Sequence, residues 1–454
     1  IRIMDSMTYL DFAENDYKYF MHSYESGYVA NNMAANAQNT AEKYLKHLID
    51  QYDHDEQRLD LRTRTLRTHN LSQLMNYLSN EMGMEIPLRV KRDINALNNY
   101  YFNARYPGDN SFFVSKDDIE ICKEGLDSCR ELVLSVDKEM RTKNKEKELI
   151  LCSLLDAALH AEPHVENQAA LKQKWERLKQ QETDWESILS IADCHRVLPL
   201  LYDVLENILP EDGADWKRVQ ERSTQTVWQS YRLLFMSRYV TGLLKDAGID
   251  TILLKGSGVA GLYPVPELRK SGDVDLLVEN GKMAQEAGRC LQVHGFVAES
   301  GHQENHHLTY MSPEGIRLEL HSALVEPFDS TEVNTFLEKC QKDFFENRVT
   351  ENVMGVDFFL ASPSYQAFYL LLHMLQHFLR SGFGLKLLCD WVVFWEHGCT
   401  AEEEAKFLTL VRECGILNLT CVVTLFCVRY LGLSENKVQF LEKAGEAGAM
   451  KEEA

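Results

Sequence analysis

Two aspartates separated by one residue, Asp273 and Asp275, are the side chains in this sequence best suited to chemistry. They lie in the motif at 271–278, in which Val274–Val278 is predicted to form a β-strand from its apolar alternation. Because residues i and i+2 of a strand share a face, both carboxylates project together, while Val274 and Leu276 face the core. Adjacent carboxylates repel each other unless a cation neutralises them. A hard divalent ion such as Mg²⁺ or Mn²⁺ prefers oxygen ligands of this kind.

A third carboxylate follows on another predicted strand, at residues 316–320. Strand periodicity places Arg317, Glu319 and His321 on one face. If the two strands are neighbours, Glu319 joins the aspartate pair, and three carboxylates around two metal ions form a site for in-line phosphoryl or nucleotidyl transfer. The alternative is a pair of solvated acidic residues on an edge strand, because D-x-D is common by chance.

A glycine-rich loop precedes these strands. Lys255, Gly256 and Ser257 follow a short β-like run at 249–254 and open a predicted helix, where backbone N–H groups can hold phosphate oxygens. The same glycines fit the dinucleotide pattern G-x-G-x-x-G. That pattern needs a full helix before the next strand, whereas here a short, proline-interrupted segment intervenes. We therefore favour a phosphate-binding loop.

The loop, the aspartate strand and Leu-Glu-Leu-His at 318–321 together resemble the nucleotidyltransferase superfamily of the DNA polymerase β type. The sequence is most similar to a bacterial branch of uncharacterised nucleotidyltransferase-like proteins, over about residues 150–400. The resemblance extends to Asp184-Trp185, to His373 and His377, and to Asp390-Trp391. It implies a minimal nucleotidyltransferase core that uses Mg²⁺ or Mn²⁺ and an NTP, with ATP as the expected nucleotide.

The resemblance also implies roles for individual residues. Asp273 and Asp275 would bind the metal ions, and Glu319 would complete the metal site and help to activate the acceptor hydroxyl. The expected nucleotide-binding residues hold phosphates: Lys255, Gly256, Ser257 and Arg269. The acceptor is not identified, and a protein, an RNA and a small molecule all stay open.

Other patterns capable of chemistry are weaker. His302, His306 and His307 could form a metal cluster, but a mobile loop near the mouth of the active site is the favoured interpretation. His373 and His377 have the spacing of half a zinc motif without its glutamate, so we expect histidines that pack between helices or contact substrate. No G-x-S-x-G sequence supports a serine hydrolase.

Three segments near the N-terminus, 41–46, 68–71 and 97–108, resemble a HEPN domain. These domains are small helical bundles that often accompany nucleotidyltransferases, and some are metal-independent RNases with an R-x4–6-H motif. Arg64 and His69 fit that spacing within a basic cluster at residues 58–67. In such an RNase, His69 would act as general acid and base, and Arg64 would stabilise the phosphorane.

Two features favour a HEPN domain without nuclease activity. Leu71 stands where the toxin variant has tyrosine, and Thr-His-Asn-Leu followed by Arg-Tyr-Pro is the pattern of a nucleotide-binding subgroup. We therefore expect this domain to bind substrate or to form a homodimer, and the whole chain to be related to toxin–antitoxin or defence pairs. A HEPN ribonuclease regulated by the second domain and a catalytically silent nucleotide-binding protein remain the alternatives.

The elements that must position these residues predict an α+β multidomain protein. We expect a HEPN-like all-α bundle at 1–138 with a last helix from Ser115 to about 138, a charged linker or solvated helix extension at 139–148, and a helical lead-in at 149–248. A small mixed-sheet nucleotidyltransferase core embedded in helices follows at 249–356, and a helical region closes the chain at 357–454. The tryptophans of the lead-in are expected core anchors: Trp175, Trp185, Trp216 and Trp228.

Composition limits the classes of function. The chain has 454 residues and a formal net charge of −21, which disfavours non-specific duplex binding but permits a local basic site. Its 11 cysteines include no C-x-x-C pair, so buried free thiols are expected rather than disulfides or a zinc ribbon. No apolar run approaches the roughly 20 residues of a membrane span. Together these features predict a cytoplasmic protein without a membrane partner.

Overall fold

The computed structural model describes residues 7–53, 58–98, 100, 111–160, 183–299, 307–380 and 382–442. The chain divides into two compact units, Ile1–Glu146 and Lys147–Ala454. All eleven cysteines are free, and eight of them are buried, as their spacing predicts. Within the described ranges, every helix is too short or too polar to cross a bilayer.

The N-terminal unit consists of helices around one apolar core. Its helices are α1 (Tyr9–Glu25), α2 (Asn31–Tyr52), α3 (Leu59–Leu66), α4 (Leu71–Asn80), α5 (Leu88–Ala96) and the start of α6 (Lys116–Leu159). The apolar stripe of α2 is buried, with Ala41, Tyr44 and Leu45 inside. Ser115 caps α6, because its hydroxyl accepts from the backbone N–H of Asp118.

Helix α6 continues well beyond the end predicted near residue 138. It passes through residues 139–148, so this segment is a solvated stretch of helix and not an irregular linker. The charged side chains lie at helical spacing and form i,i+4 pairs, as between Lys143 and Glu139 at 2.7 Å. Of the two alternatives for this charged segment, the structure has the helix extension, which such pairs support. The division between the two compact units falls within this helix.

The second unit begins with helices and then forms a mixed sheet. The helices are α7 (Trp185–Cys194), α8 (Tyr202–Glu206) and α9 (Ala214–Asp246). The sheet strands are β1 (Ile252–Leu253), β2 (Asp273–Leu277), β3 (Val297–Ala298), β4 (His307–Met311) and β5 (Arg317–His321), in the spatial order β1-β2-β5-β4-β3. Between the strands lie the one-turn helix α10 (Ser257–Ala260) and α11 (Gly281–Val293). Strand β1 is antiparallel to β2, which excludes the dinucleotide-binding βαβ unit.

Helices complete this unit after a two-stranded hairpin. In chain order these elements are α12 (Thr331–Glu346), β6 (Val349–Val353), β7 (Val356–Leu360), α13 (Pro363–Arg380), α14 (Leu385–His397), α15 (Ala401–Glu413), α16 (Leu417–Leu431) and α17 (Gln439–Glu442). The two tryptophans of α14 are fully buried, and they anchor the largest apolar core of the chain. This core holds the helices that face the sheet.

Sequence patterns missed four strands and misplaced one histidine. Strands β3 and β4 and the β6–β7 hairpin were not predicted. His307 was expected in a mobile loop, but it begins β4 and is buried, so that prediction is wrong. Its strand pairs with β5 through contacts that local periodicity does not reveal. His302, His306 and Trp175 lie outside the described residues.

The tryptophans of the lead-in have different surroundings. Trp216 is buried and Trp185 packs partly against the core, as expected. Trp228, in contrast, has 70% of its surface exposed, so its prediction as a core anchor is wrong. A large apolar residue at helical spacing usually marks a buried face, and here it lies on the outer face of α9.

Candidate functional site

The register of the central strands brings the predicted carboxylates together. Strands β2 and β5 are parallel neighbours, with Asp273 opposite Arg317 and Asp275 opposite Glu319. Strand β2 lies between β1 and β5, so the alternative of a solvated pair on an edge strand is wrong. Asp275 is only 2% exposed, and a carboxylate so deeply buried requires compensating partners.

Asp275, Glu319 and His321 form a compact cluster of possible metal ligands. One ligand atom from each lies within 4.8 Å of the other two. The His321 Nε2 atom is 3.1 Å from Asp275 Oδ1 and 3.5 Å from Glu319 Oε2. The other oxygen of Asp275, Oδ2, is buried and has no hydrogen-bond partner among the described residues. A buried oxygen without a partner, beside a second carboxylate and an imidazole, fits a divalent cation.

The electrostatic environment separates the two aspartates. Burial, followed by the charge of Asp275, raises the pKa of Asp273 to about 6. Burial also opposes ionisation of Asp275, but Lys255 and a hydrogen bond from His321 hold its pKa well below the usual range. Burial opposes ionisation of Glu319 as well, but a hydrogen bond from His321 and the charges of Lys255 and His321 together lower its pKa. Carboxylates held ionised in a buried place are suited to bind a cation.

Lys255 contacts both sides of the site. Its Nζ lies 3.4 Å from Asp275 Oδ1 and 3.2 Å from His373 Nε2, to which it donates. Gly256 follows with a φ of +63°, a conformation that favours glycine. A Cβ at Gly256 would come within 4.0 Å of Asp275 Oδ2. The predicted glycine therefore permits the backbone to pass beside the carboxylates.

A cavity of about 330 Å³ opens in front of the cluster. Its carboxylates come from the sheet, and the facing wall includes the histidines of α13, His373 and His377, whose Nε2 atoms are 3.1 Å apart. Burial, followed by the charge of Lys255, lowers the pKa of His373 far below its ordinary value. Cations surround the same space: Arg196, Lys255, Arg317, Arg380 and Lys386. A cavity with carboxylates on one side and cations around it can accept a metal ion together with a phosphate chain.

Two of the predicted phosphate-binding residues do not reach this cavity. Arg269 is buried, and its Nε and Nη2 donate to the two oxygens of Asp390 at 2.7 Å each. Its Nη1 donates to Ser271 at 2.6 Å, so the guanidinium holds the segment before β2 instead of lining the cavity. Ser257 begins the one-turn helix α10 but is not among the lining residues.

The candidate HEPN residues, Arg64 and His69, lie in the other unit. Arg64 is exposed on α3. His69 precedes α4, and its Nδ1 is 3.0 Å from Glu42 Oε2. The side chain of His69 is 51% exposed, whereas Glu42 is buried and also accepts from Lys46. The histidine is thus held by a glutamate of α2.

Several lining residues were missed as site residues. His321 had a signal, since strand periodicity places it on the face of Glu319. Arg196 and Lys386 had none, because they join the cavity only through the tertiary packing of helices. Arg196 has a φ of +60°, which is rare for a residue with a Cβ and marks a constrained backbone. Burial, followed by the charge of Arg269, lowers the pKa of Lys386 to about 8.

Comparison with known proteins agrees with both sequence resemblances. Residues 181–432 match the family described as uncharacterised nucleotidyltransferase, and residues 7–139 match the HEPN domain. Among solved structures, an antigenic nucleotidyltransferase-like protein from Paracoccidioides brasiliensis is 19% identical, with a TM-score of 0.27, over 41% of this chain and 90% of that chain. No curated protein matches the chain significantly.

Proposed function

Because the chain belongs to the family of uncharacterised nucleotidyltransferases, we propose that it transfers a nucleoside monophosphate from an NTP, ATP in the first instance, to a hydroxyl or phosphate acceptor and releases pyrophosphate. The observation that carries this proposal is the pairing of Asp275 with Glu319 across parallel strands. Asp273 lies on the same strand, and all three carboxylates line one cavity.

The metal-binding residues follow from the donor set. Asp275 and Glu319, with His321 beside them, would hold Mg²⁺ or Mn²⁺, and Asp273 would contribute its carboxylate from the start of β2. When bound, such an ion polarises a phosphoryl oxygen and neutralises charge on the phosphate chain. The partnerless Oδ2 of Asp275 supports this assignment, because a buried charged oxygen without a partner is costly.

The other lining residues bind and orient the nucleotide. Lys255 and Lys386 contribute positive charge where the phosphates would lie. Gly256 has no Cβ, which leaves room for the phosphates to approach the backbone. During transfer, a bond forms between the acceptor oxygen and the α-phosphorus, and the bond to pyrophosphate breaks. Glu319 lines the same cavity, and we assign to one of its oxygens the proton of the acceptor hydroxyl.

Labelled nucleotide and the purified chain test this proposal. With an α-labelled NTP and Mg²⁺ or Mn²⁺, the wild type is expected to release pyrophosphate and to transfer label to an acceptor. The double variant Asp273→Asn/Asp275→Asn should lose at least about a thousandfold in rate, which corresponds to roughly 4 kcal/mol of lost transition-state stabilisation. Asp212→Asn is the matched control, because it removes an exposed carboxylate elsewhere in the same unit.

Nucleotide binding without turnover separates the alternatives. If wild-type protein binds NTP by calorimetry but neither pyrophosphate nor label transfer appears with any acceptor class, the silent nucleotide-binding alternative holds and the transferase proposal is wrong. Transfer by the double variant at the wild-type rate would equally contradict the roles given to Asp273 and Asp275.

The HEPN unit is proposed to pair with a second copy of the chain. Phe12 and Tyr19 lie seven residues apart on α1, so they share one face of this helix, and both are about half exposed. Phe12→Ser/Tyr19→Ser is expected to convert a dimer into a monomer in light scattering. A wild-type chain that is monomeric at micromolar concentration would contradict this pairing.

A further inference from the structure

Helix α9 carries four exposed aromatic side chains on its outer face. Trp228, Tyr231, Phe235 and Tyr239 follow each other at intervals of three and four residues, with Trp228 70% and Phe235 61% exposed. At 1.5 Å per residue this row extends over about 16 Å of the helix. Soluble chains rarely leave so many aromatic rings in solvent without a ligand or partner.

The same face is positively charged in a strongly acidic chain. Residues 222–245 contain four cations and no Asp or Glu, although the chain has 69 acidic residues in 454 and a net charge of −21. Arg232, Arg238 and Lys245 are exposed and lie between or beside the aromatic rings. We call these seven side chains, from Trp228 to Lys245, the aromatic–basic face of α9.

We propose that the aromatic–basic face of α9 binds single-stranded RNA and presents it as the acceptor for nucleotidyl transfer, an inference that rests on the proposed function. Aromatic rings stack on unpaired bases, and arginines between them bind the phosphates, which is the usual design of a single-strand site. The cations of this face match the repeating negative charge of a nucleic acid, and a protein partner, whose interface can also contain rings and arginines, is one of the outcomes of the test.

A groove of about 360 Å³ lies between this face and the turn that precedes β5. Arg232, Phe235 and Tyr239 form one wall, and Phe296, Pro313 and Ile316 lie opposite. Arg232 Nη2 donates to the backbone oxygen of Glu314 at 2.8 Å, which fixes the guanidinium at the groove. Ile316 is followed directly by Arg317, which lines the cavity of the carboxylates. Ile316 packs with α9 on one face of the sheet and Arg317 lines the cavity on the other, so a strand bound along α9 must pass around the start of β5 to serve as acceptor.

Tyr231 is oriented for this role by a neighbour. Its hydroxyl donates to Glu267 Oε1 at 2.9 Å, so the glutamate holds the hydroxyl end of the ring. Phe235 has no polar atom, and the indole N–H of the 70% exposed Trp228 makes no hydrogen bond to the described residues. Removing the two rings should therefore change ligand binding much more than folding.

Binding of a labelled oligonucleotide by the full chain tests the proposal. The probe is a fluorescein-labelled single-stranded RNA of about 12 nucleotides, followed by fluorescence anisotropy. Trp228→Ala/Phe235→Ala should weaken binding at least tenfold, because one stacked base contributes a factor of about 5 to 150. Arg232→Gln/Arg238→Gln should lower the slope of log affinity against log salt by about 1.4, at roughly 0.7 per phosphate.

Matched controls keep these outcomes interpretable. Phe113→Ala removes a 94% exposed ring in the other unit, and Arg412→Gln removes an exposed cation of α15, so both should bind RNA as the wild type does. Circular dichroism confirms that each variant is folded. The proposal is overturned if wild type does not bind the RNA, if DNA of the same sequence or duplex RNA binds equally well, or if the variants bind unchanged.

A change of oligomeric state without a change in RNA binding would also overturn the proposal, since the face would then be an interface between copies. Failure of the proposed function is recognisable separately. Asp275→Asn should bind RNA normally and transfer no label, whereas Trp228→Ala/Phe235→Ala should still bind NTP and lose label transfer to RNA. If wild type binds RNA but never transfers a nucleotide, transfer alone is contradicted.

Discussion

Each unit contains a buried aspartate bonded to a buried histidine, and the two pairs differ in what remains for a ligand. In the N-terminal unit, Asp137 Oδ1 is 2.7 Å from His47 Nε2 and accepts from Tyr52 at 2.7 Å, while Oδ2 pairs with Arg141 at 2.6 Å. In the second unit, His321 bonds to one oxygen of Asp275, and the other oxygen lacks a hydrogen bond among the described residues.

The direction of the pKa shift does not distinguish the two aspartates. Burial opposes ionisation of both, and their partners lower both pKa values. The difference lies in geometry, because both oxygens of Asp137 are used by the protein itself, while Asp275 faces a cavity. A buried histidine–aspartate pair is therefore structural when its oxygens are saturated, and available to a cation when one oxygen is not.

The largest expected loss of stability follows the removal of Asp390, whose two carboxylate oxygens both accept hydrogen bonds from Arg269. Asp390→Ala should destabilise the protein by about 3–5 kcal/mol, because Arg269 would remain buried without its counter-ion. Urea denaturation measures this loss. The double variant Arg269→Met/Asp390→Leu should recover part of it, and a single variant as stable as wild type would contradict a structural role for the pair.

Metal binding should raise the stability of the protein only when Asp275, Glu319 and His321 are all present. At a Mn²⁺ concentration one hundred times the dissociation constant, the expected gain is about 2.7 kcal/mol, seen as a higher Tm that EDTA reverses. Asp275→Asn should show no gain, whereas Asp212→Asn should behave as wild type. An equal gain in Asp275→Asn would place the metal elsewhere.

A smaller loss of stability is expected when one of the hydrogen bonds to Asp137 is removed. Tyr52→Phe deletes the hydroxyl that bonds to Asp137, yet His47 and Arg141 still satisfy both oxygens. We expect a loss of about 1 kcal/mol in the free energy of unfolding. Nucleotidyl transfer should not change, and a large loss of transfer would show that the two units are coupled.

The smallest effect is expected at His69, whose pairing with Glu42 is half exposed. His69→Gln should change the free energy of unfolding by less than about 1 kcal/mol and leave pyrophosphate release unchanged. The same variant examines the ribonuclease alternative. If the wild type cleaves RNA and both Arg64→Ala and His69→Gln abolish cleavage, the N-terminal unit has an activity of its own.

The central sheet illustrates how far local patterns reach. Strand periodicity predicted β2, β5 and the shared face of Glu319 and His321, because side chains alternate along any strand. The pairing of the two strands was only a condition of the prediction, since register depends on tertiary packing. Strand β4, which lies between β3 and β5, was missed for the same reason, and its buried residues reveal no strand until their partners are known.

The cavity shows that a motif can identify some of its lining residues and can also assign a nearby residue to it wrongly. Asp273, Asp275, Glu319, Lys255 and Gly256 meet at one cavity, as their motifs predict. Arg269 was assigned to phosphate from its place beside the motif, but its partner Asp390 lies 121 positions away in the chain. No spacing rule covers such a distance. A basic residue near a motif should therefore be assigned to ligand binding only when it does not form an ion pair with a buried acidic residue.

The parallel pairing of β2 with β5 has a consequence for the kinetics of folding. Asp275 and His321 are 46 positions apart, and a parallel pair cannot be closed by a tight turn. Contacts between distant positions form late, because the intervening chain must first be ordered. The metal cluster therefore forms only once β2 and β5 have paired, and Mn²⁺ added during refolding should bind no earlier than that step.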